Sequence, residues 1–175
     1  FDVVAKLRGI LRTKKIGHTG TLDPMATGLL LICVEKGTKA VSVMPDARKE
    51  YIAEMTLGLS TDTEDITGEV LERAEVNVTP EQIREVFPHF IGEFDQIPPM
   101  YSAKKVNGQK LYDLARRGEV IERKPSHIEI YELEILAIDL PKVTFRVLCS
   151  KGTYIRTLCK DIGEALGTLA TMSEL

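Results

Sequence analysis

The chain has little of what metal, disulfide and membrane chemistry requires. Cysteine is scarce: Cys33, Cys149 and Cys159 are odd in number, and their spacing fits no metal-ligand pattern. That argues against a disulfide framework and for a reducing compartment, the cytoplasm, with the thiols acting as small buried hydrophobes. Histidine is limited to His18, His89 and His127, without clustered ligands, so no metal site is expected. No apolar run approaches the roughly 20 residues of a membrane helix. No secretory signal pattern opens the chain, so no membrane partner is expected. Also missing are a P-loop, a GxGxxG after a strand, an HExxH and a paired CxxC.

What is present is a globular composition: 43% hydrophobic and 28% charged over 175 residues, enough for one core. The ends, Phe1 and Leu175, read as those of a piece of a longer protein. The net charge of −3 carries no basic footprint in its sum. Its distribution is uneven. Residues 62–85 hold eight acids against two bases, whereas residues 97–126 hold seven bases, Lys104 and Lys105 among them, against three acids. Two solvated faces would explain this, and so would a surface that meets phosphates on one side.

Periodicity orders the elements. Phe1, Val4, Leu7 and Leu11 share one helical face. Gly17, Gly20, Gly28 and Asp23-Pro24 mark an irregular loop, and Leu29–Val34 reads as a strand buried on both faces. A brief helix is expected over 39–44. Residues 50–58 alternate as a strand, with a second alternating stretch near Val70 and Leu71. Thr79-Pro80-Glu81-Gln82 is a capping-box helix start, and Pro88 limits that helix. Residues 94–126 are rich in loop signals around a short helix at Leu111–Ala115. Ile128–Ile138 and Val143–Cys149 form a hairpin pair. Ile155, Leu158, Ile162 and Leu166 line a last helix, with Gly167 at its C-terminal cap. This order is not a βαβ alternation. The expected class is α/β in the α+β sense: a mixed, mostly antiparallel sheet with flanking helices.

Few residues remain for chemistry. Asp23 sits in GHTGTLDPMATGLL, and an Asp-Pro step is an ordinary turn or helix cap. Its neighbours support a second reading. Glycines permit close approach of a ligand, and His18, Thr19 and Thr21 bring polar tips beside an apolar strand, where a carboxylate serves as nucleophile or base. Tyr51 is either an edge aromatic or a platform for a flat base. Arg156, in the first turn of its helix, is misplaced for the helix dipole. It is therefore either a surface residue or the partner of a dedicated anion.

These segments together resemble a known family. GHTGTLDPMATGLLLIC, KEYIAEMTLG, STDTEDITGEV, IPPMYSAKKVNGQKLYDLAR and SKGTYIRTLCKDIGEAL are similar, in order and across the whole chain, to the TruB-type tRNA pseudouridine-55 synthases of bacteria. The relatives that use guide RNA share the Asp loop, but the YSAKKVNGQKLYDLAR segment more closely resembles the stand-alone bacterial type. The resemblance implies a pseudouridine synthase fold and isomerisation of a uridine in the T-loop of tRNA after base flipping. It implies no cofactor, no required protein partner and a monomer. Asp23 aligns with the catalytic aspartate, Tyr51 with the tyrosine that stacks on uracil and serves as base, and Arg156 with the arginine that pairs with the aspartate. Tyr154 aligns with a pocket tyrosine, His18 with a histidine that holds flipped-out nucleotides, and Leu175 with an apolar pocket residue. Lys104, Lys105 and Lys151 are expected at the RNA, and residues 97–126 correspond to an RNA-gripping insertion. The family's Lys-Pro-x-Gly-x-Thr-Ser strand and small C-terminal RNA-binding domain have no counterpart in residues 1–175, which leaves an unpaired sheet edge expected.

Two other classes compete. A non-catalytic RNA-binding or tRNA-folding module on the same scaffold is disfavoured by the intact Asp23, Tyr51 and Arg156. A glycosidase-like hydrolase needs a second carboxylate. Asp161 and Glu164 are the candidates, and their helical spacing places them on a solvated face.

Overall fold

The computed structural model describes residues 2–43, 48–106 and 108–175. The chain divides into two compact units, Phe1–Ala47 and Arg48–Leu175.

In the first unit the apolar spacing produces helix α1, Asp2–Leu11. Of its expected face, Val4 is buried, Leu7 is half-buried and Leu11 is exposed; Phe1 lies outside the described residues. Strands β1, Ile16–His18, and β2, Ile32–Val34, pair antiparallel with Gly17 opposite Cys33. Residues 19–31 are therefore a hairpin connection, tied at its stem by the Thr19 amide donating to the Leu31 carbonyl at 3.2 Å. The expectation of a doubly buried strand over 29–34 is corrected. Only Ile32–Val34 pair, all three are half-buried, and Leu29 is 93% exposed. A continuous apolar run does not say how many neighbours it has, and among the described residues this strand has one short partner. The expected brief helix is a 3-10 helix over Glu35–Ser42, and Met44 lies outside the described residues.

The second unit is built on a five-stranded sheet. Strand β3, Lys49–Leu57, leads into the hairpin of β4, Leu59–Thr61, and β5, Val70–Arg73. All four residues of β5 are exposed, so its apolar pair Val70 and Leu71 builds no core. Helix α2, Pro80–Val86, starts as expected: the Gln82 amide donates to Thr79 Oγ1 (3.3 Å) and the Thr79 amide to Gln82 Oε1 (2.8 Å). It runs into a 3-10 turn, Phe87–Phe90, containing Pro88.

Strand β6, Gly92–Gln96, follows, then the short pair β7, Lys105–Val106, and β8, Gln109–Lys110, and helix α3, Leu111–Ala115. Strands β9, Ser126–Asp139, and β10, Lys142–Cys149, form the expected hairpin. Helix α4, Ile155–Ala165, and strand β11, Ala170–Glu174, complete the unit. The sheet order is β11-β3-β10-β9-β6, with every pairing antiparallel.

Alternation along β3 and β10 sends Ala53, Met55, Leu57, Val143, Phe145 and Val147 to one buried face. Phe145 meets Phe87 edge-on, with centroids 5.6 Å apart, beneath Ile83 of α2. Helix α4 buries Ile155, Leu158, Cys159 and Ile162. It ends in a two-bond cap, with Gly167 (φ 71) donating to Glu164 O and Thr168 to Gly163 O, both at 3.0 Å. Strands β6 and β11 are additions to the expected order. Both are five residues long, and Ala170, Thr171 and Met172 are buried in succession, which erases the alternation that marks a strand. Among the described residues no helix is long and apolar enough to cross a membrane.

Candidate functional site

Each unit contributes expected site residues. In the first, Asp23 is half-buried in the β1–β2 connection, and its carbonyl accepts from the Ala26 amide at 2.9 Å. This is a turn and not a helix start, so the capping explanation for Asp-Pro does not apply. Gly28, at φ 127, adopts backbone angles open to glycine, which lets the connection fold back to β2. His18, exposed at the end of β1, donates from Nδ1 to the Gly20 carbonyl.

In the second unit the residues gather around the start of α4. Arg156 is 6% exposed. Its Nη1 donates to the Thr63 carbonyl (2.8 Å) and Nη2 to the Tyr101 carbonyl (2.9 Å), and Nη1 lies 3.7 Å from Asp65 Oδ2. Asp65 is itself buried, and its other oxygen, Oδ1, accepts from Thr63 Oγ1, the Thr67 amide and Thr67 Oγ1 at 2.9, 3.0 and 2.6 Å. Burying two charges is costly unless both are paired and hydrogen-bonded, and both are. Within its own unit Arg156 thus has Asp65 as an anionic partner. Asp65 belongs to the acidic segment 62–85, and its burial corrects the expectation of a wholly solvated face there. The signal was the flanking threonines of STDTEDIT, whose hydroxyls satisfy a buried carboxylate.

The same loop is fastened to α4 twice more. Thr157 Oγ1 donates to Glu64 Oε2 at 2.6 Å, and Lys160 lies 3.7 Å from Glu64. Tyr154 is the N-cap residue of α4, and the buried Gln96 of β6 grips its backbone on both sides. Gln96 Oε1 accepts from the Tyr154 amide (2.8 Å), and Nε2 donates to the Tyr154 carbonyl (3.1 Å). Nothing in the sequence singles out Gln96, since its role depends on the last residue of β6 meeting the Tyr154 backbone. Lys151 is exposed in the turn before α4, where Gly152 takes φ 89. Tyr51 is half-buried on β3 opposite Val147, on the side of the strand that carries Ala53 and Met55. Leu175 follows β11 and is half-buried.

The basic segment closes on itself at its base. Lys104 Nζ donates to Ser126 Oγ (2.6 Å) and the Lys124 carbonyl (3.3 Å), and Arg123 Nη1 donates to the Pro98 carbonyl (3.1 Å). Beyond this clasp Lys105, Lys110, Arg116 and Arg117 line an open depression of about 460 Å³ with Gly108, Gln109 and Asp113. At its start, the hydrogen bond to Asp62 holds the Tyr101 phenol above its ordinary range.

The remaining candidates sort simply. No cluster of three or more His, Cys, Asp or Glu suited to a metal occurs among the described residues. Cys149 and Cys159 are buried as expected, and burial pushes the Cys149 thiol up to about 11; Cys33 is only half-buried. Glu164 is exposed, but Asp161 is half-buried and its carboxyl is raised to about 6 by burial, so the solvated-face expectation holds for one of the two.

A similar scaffold is found in solved complexes. A chain of a Cbf5-Nop10-Gar1 complex superposes with a TM-score of 0.72 at 35% identity, over 98% of this chain and 42% of that one. A chain of an H/ACA RNP bound to a substrate RNA containing 2'-deoxyuridine does so with a TM-score of 0.69 at 32% identity, over 99% and 41%. Residues 8–155 match the TruB family pseudouridylate synthase (N terminal domain), and the chain belongs to that family. The tRNA pseudouridine synthase B of Alkaliphilus oremlandii is 57% identical over 99% of this chain and 58% of its own length. The chain spans about three fifths of the length of the curated relatives it matches.

Proposed function

We propose that this protein isomerises uridine to pseudouridine in the T-loop of tRNA, at position 55, as a bacterial stand-alone enzyme. The observation that carries this reading is the 57% identity, over 99% of the chain, to a relative named tRNA pseudouridine synthase B. The reaction breaks the bond from uracil N1 to the ribose, turns the base and joins C5 to the ribose. The proton on C5 leaves and N1 takes one up, so the composition is unchanged. Asp23 is assigned as the essential carboxylate, attacking covalently or removing a proton. Tyr51 is assigned to stack on the flipped uracil and to accept the C5 proton directly or through water. Arg156 lends the positive charge that favours an ionised carboxylate. Tyr154 and Leu175 line the base pocket in this reading, and His18 holds the displaced nucleotides. Lys104, Lys105 and Lys151 serve the RNA, with residues 97–126 as the gripping insertion of a 1–175 catalytic core. The concave, basic outer part of that insertion supports its assignment.

Unmodified tRNA carrying tritium on uracil C5 tests the proposal. The parent protein should release tritium to water, and Asp23→Ala should release none while still binding tRNA. Bound tRNA with no release by the parent would favour a binding or folding module instead. Equal release by the two proteins would remove Asp23 from the mechanism.

A further inference from the structure

We infer that the end of α1 is a second phosphate-binding surface, one that takes the sugar–phosphate backbone of the RNA substrate; the inference rests on the function proposed above. The first unit holds seven Lys and Arg against four Asp and Glu, a net +3 in a chain whose total is −3. Five of the seven fall within residues 6–15. Lys6, Arg12, Lys14 and Lys15 are exposed there. Arg8, Gly9, Arg12, Thr13 and Lys14 line an open depression of about 700 Å³, with no carboxylate among the described residues of its wall. At its edge Thr13 donates to Glu35, which places one acid nearby.

An ordinary explanation covers only part of this. Cations in a helix's last turn complement its dipole, and Arg8 is such a residue. That effect fades past the helix end, yet Arg12, Lys14 and Lys15 all follow Leu11. Arg12 also stands at φ 51. A left-handed residue just past a helix is usually glycine, because a Cβ there is strained. An arginine at such a position costs stability, and strain of this kind is informative when the side chain has a task. The depression is open and lined by separated cations, which suits successive phosphates of a polymer better than an enclosed small ligand.

The substitution that tests this is Arg12→Gly, because glycine suits the backbone and removes only the charge. Arg12→Gly, Lys14→Gln and the double variant are compared with the parent for binding of a fluorescently labelled, unmodified tRNA transcript by anisotropy, from about 50 to 200 mM salt. Thermal unfolding is followed alongside. Arg12→Gly should unfold at the parental temperature or above it. The double variant should bind about tenfold more weakly, with a log Kd against log salt slope reduced by about two. Arg84→Gln, a charge removed from the acidic side of the molecule where Arg84 faces Glu81, should leave affinity unchanged. A double variant with parental affinity and slope overturns the inference and leaves the proposed function standing. Equal weakening by Arg84→Gln also overturns it, as a mere effect of net charge. A parent that binds no tRNA overturns both readings.

Discussion

Arg156 and Asp65 form a buried ion pair at the start of α4, with Nη1 3.7 Å from Oδ2. Three donors on Oδ1 hold the carboxylate in place, and the guanidinium also binds the carbonyls of Thr63 and Tyr101. One side chain thus joins the β4–β5 loop, the start of the basic insertion and α4. An arginine fixed on three sides presents its charge in one place, which is what an electrostatic role at a reacting centre demands.

Asp65→Asn should therefore destabilise the protein by about 3 kcal/mol, since removing one member of a buried, hydrogen-bonded ion pair is strongly destabilising. In a chain of this size that corresponds to a fall in Tm of roughly 6–12 °C. The double variant Asp65→Asn with Arg156→Met should lose less than the sum of the two single changes, as measured by urea unfolding. A strictly additive result would show that the pair is not coupled.

Gly163 lies inside α4, where glycine lowers helix stability. A Cβ there would sit 2.6 Å from the Ala170 amide nitrogen and 2.9 Å from the Leu169 carbonyl carbon, both backbone atoms. Gly163→Ala should accordingly lower Tm, although the same change at an open helical site raises stability by roughly 1 kcal/mol. A stabilised variant would mean that β11 moves aside freely.

Asp161 carries a carboxyl raised to about 6 by burial, against an ordinary value of 3.8. The folded protein binds this proton more tightly than the unfolded chain, so the group's contribution to stability falls as pH rises from about 4 to 6. Its ionised form burdens the fold above that window. Asp161→Asn should raise stability by about 1–2 kcal/mol at pH 7, a figure discounted for partial exposure, and change little below pH 4. Chemical denaturation at both pH values reads the difference. An equal gain at both would assign it to something other than ionisation.

Where signals were local, the chain could be read directly. The capping box at Thr79, the alternation of β3 and β10, the β9–β10 hairpin and the glycine cap after α4 each depend on residues within one or two turns of one another. The Asp23 loop was legible for the same reason: glycine, threonine and Asp-Pro impose an irregular backbone wherever they occur together. So was the family, through long motifs whose order the matched relatives share.

Tertiary structure decided what depends on distant neighbours. Strand β11 exists because Ala170 pairs with Leu57, and β6 because Phe94 pairs with Ile128. The Asp65 loop is drawn inward because Ile66 and Glu64 bond the backbone of Met172 on β11, which places a carboxylate of an acidic run beneath α4. Gln96 acquires its role only once β6 delivers it to the Tyr154 backbone. Local sequence sets the dihedral angles and the apolar period of a segment. Whether an acid, an amide or a leucine is finally solvated depends on which strand packs beside it, and that is a property of the assembled sheet.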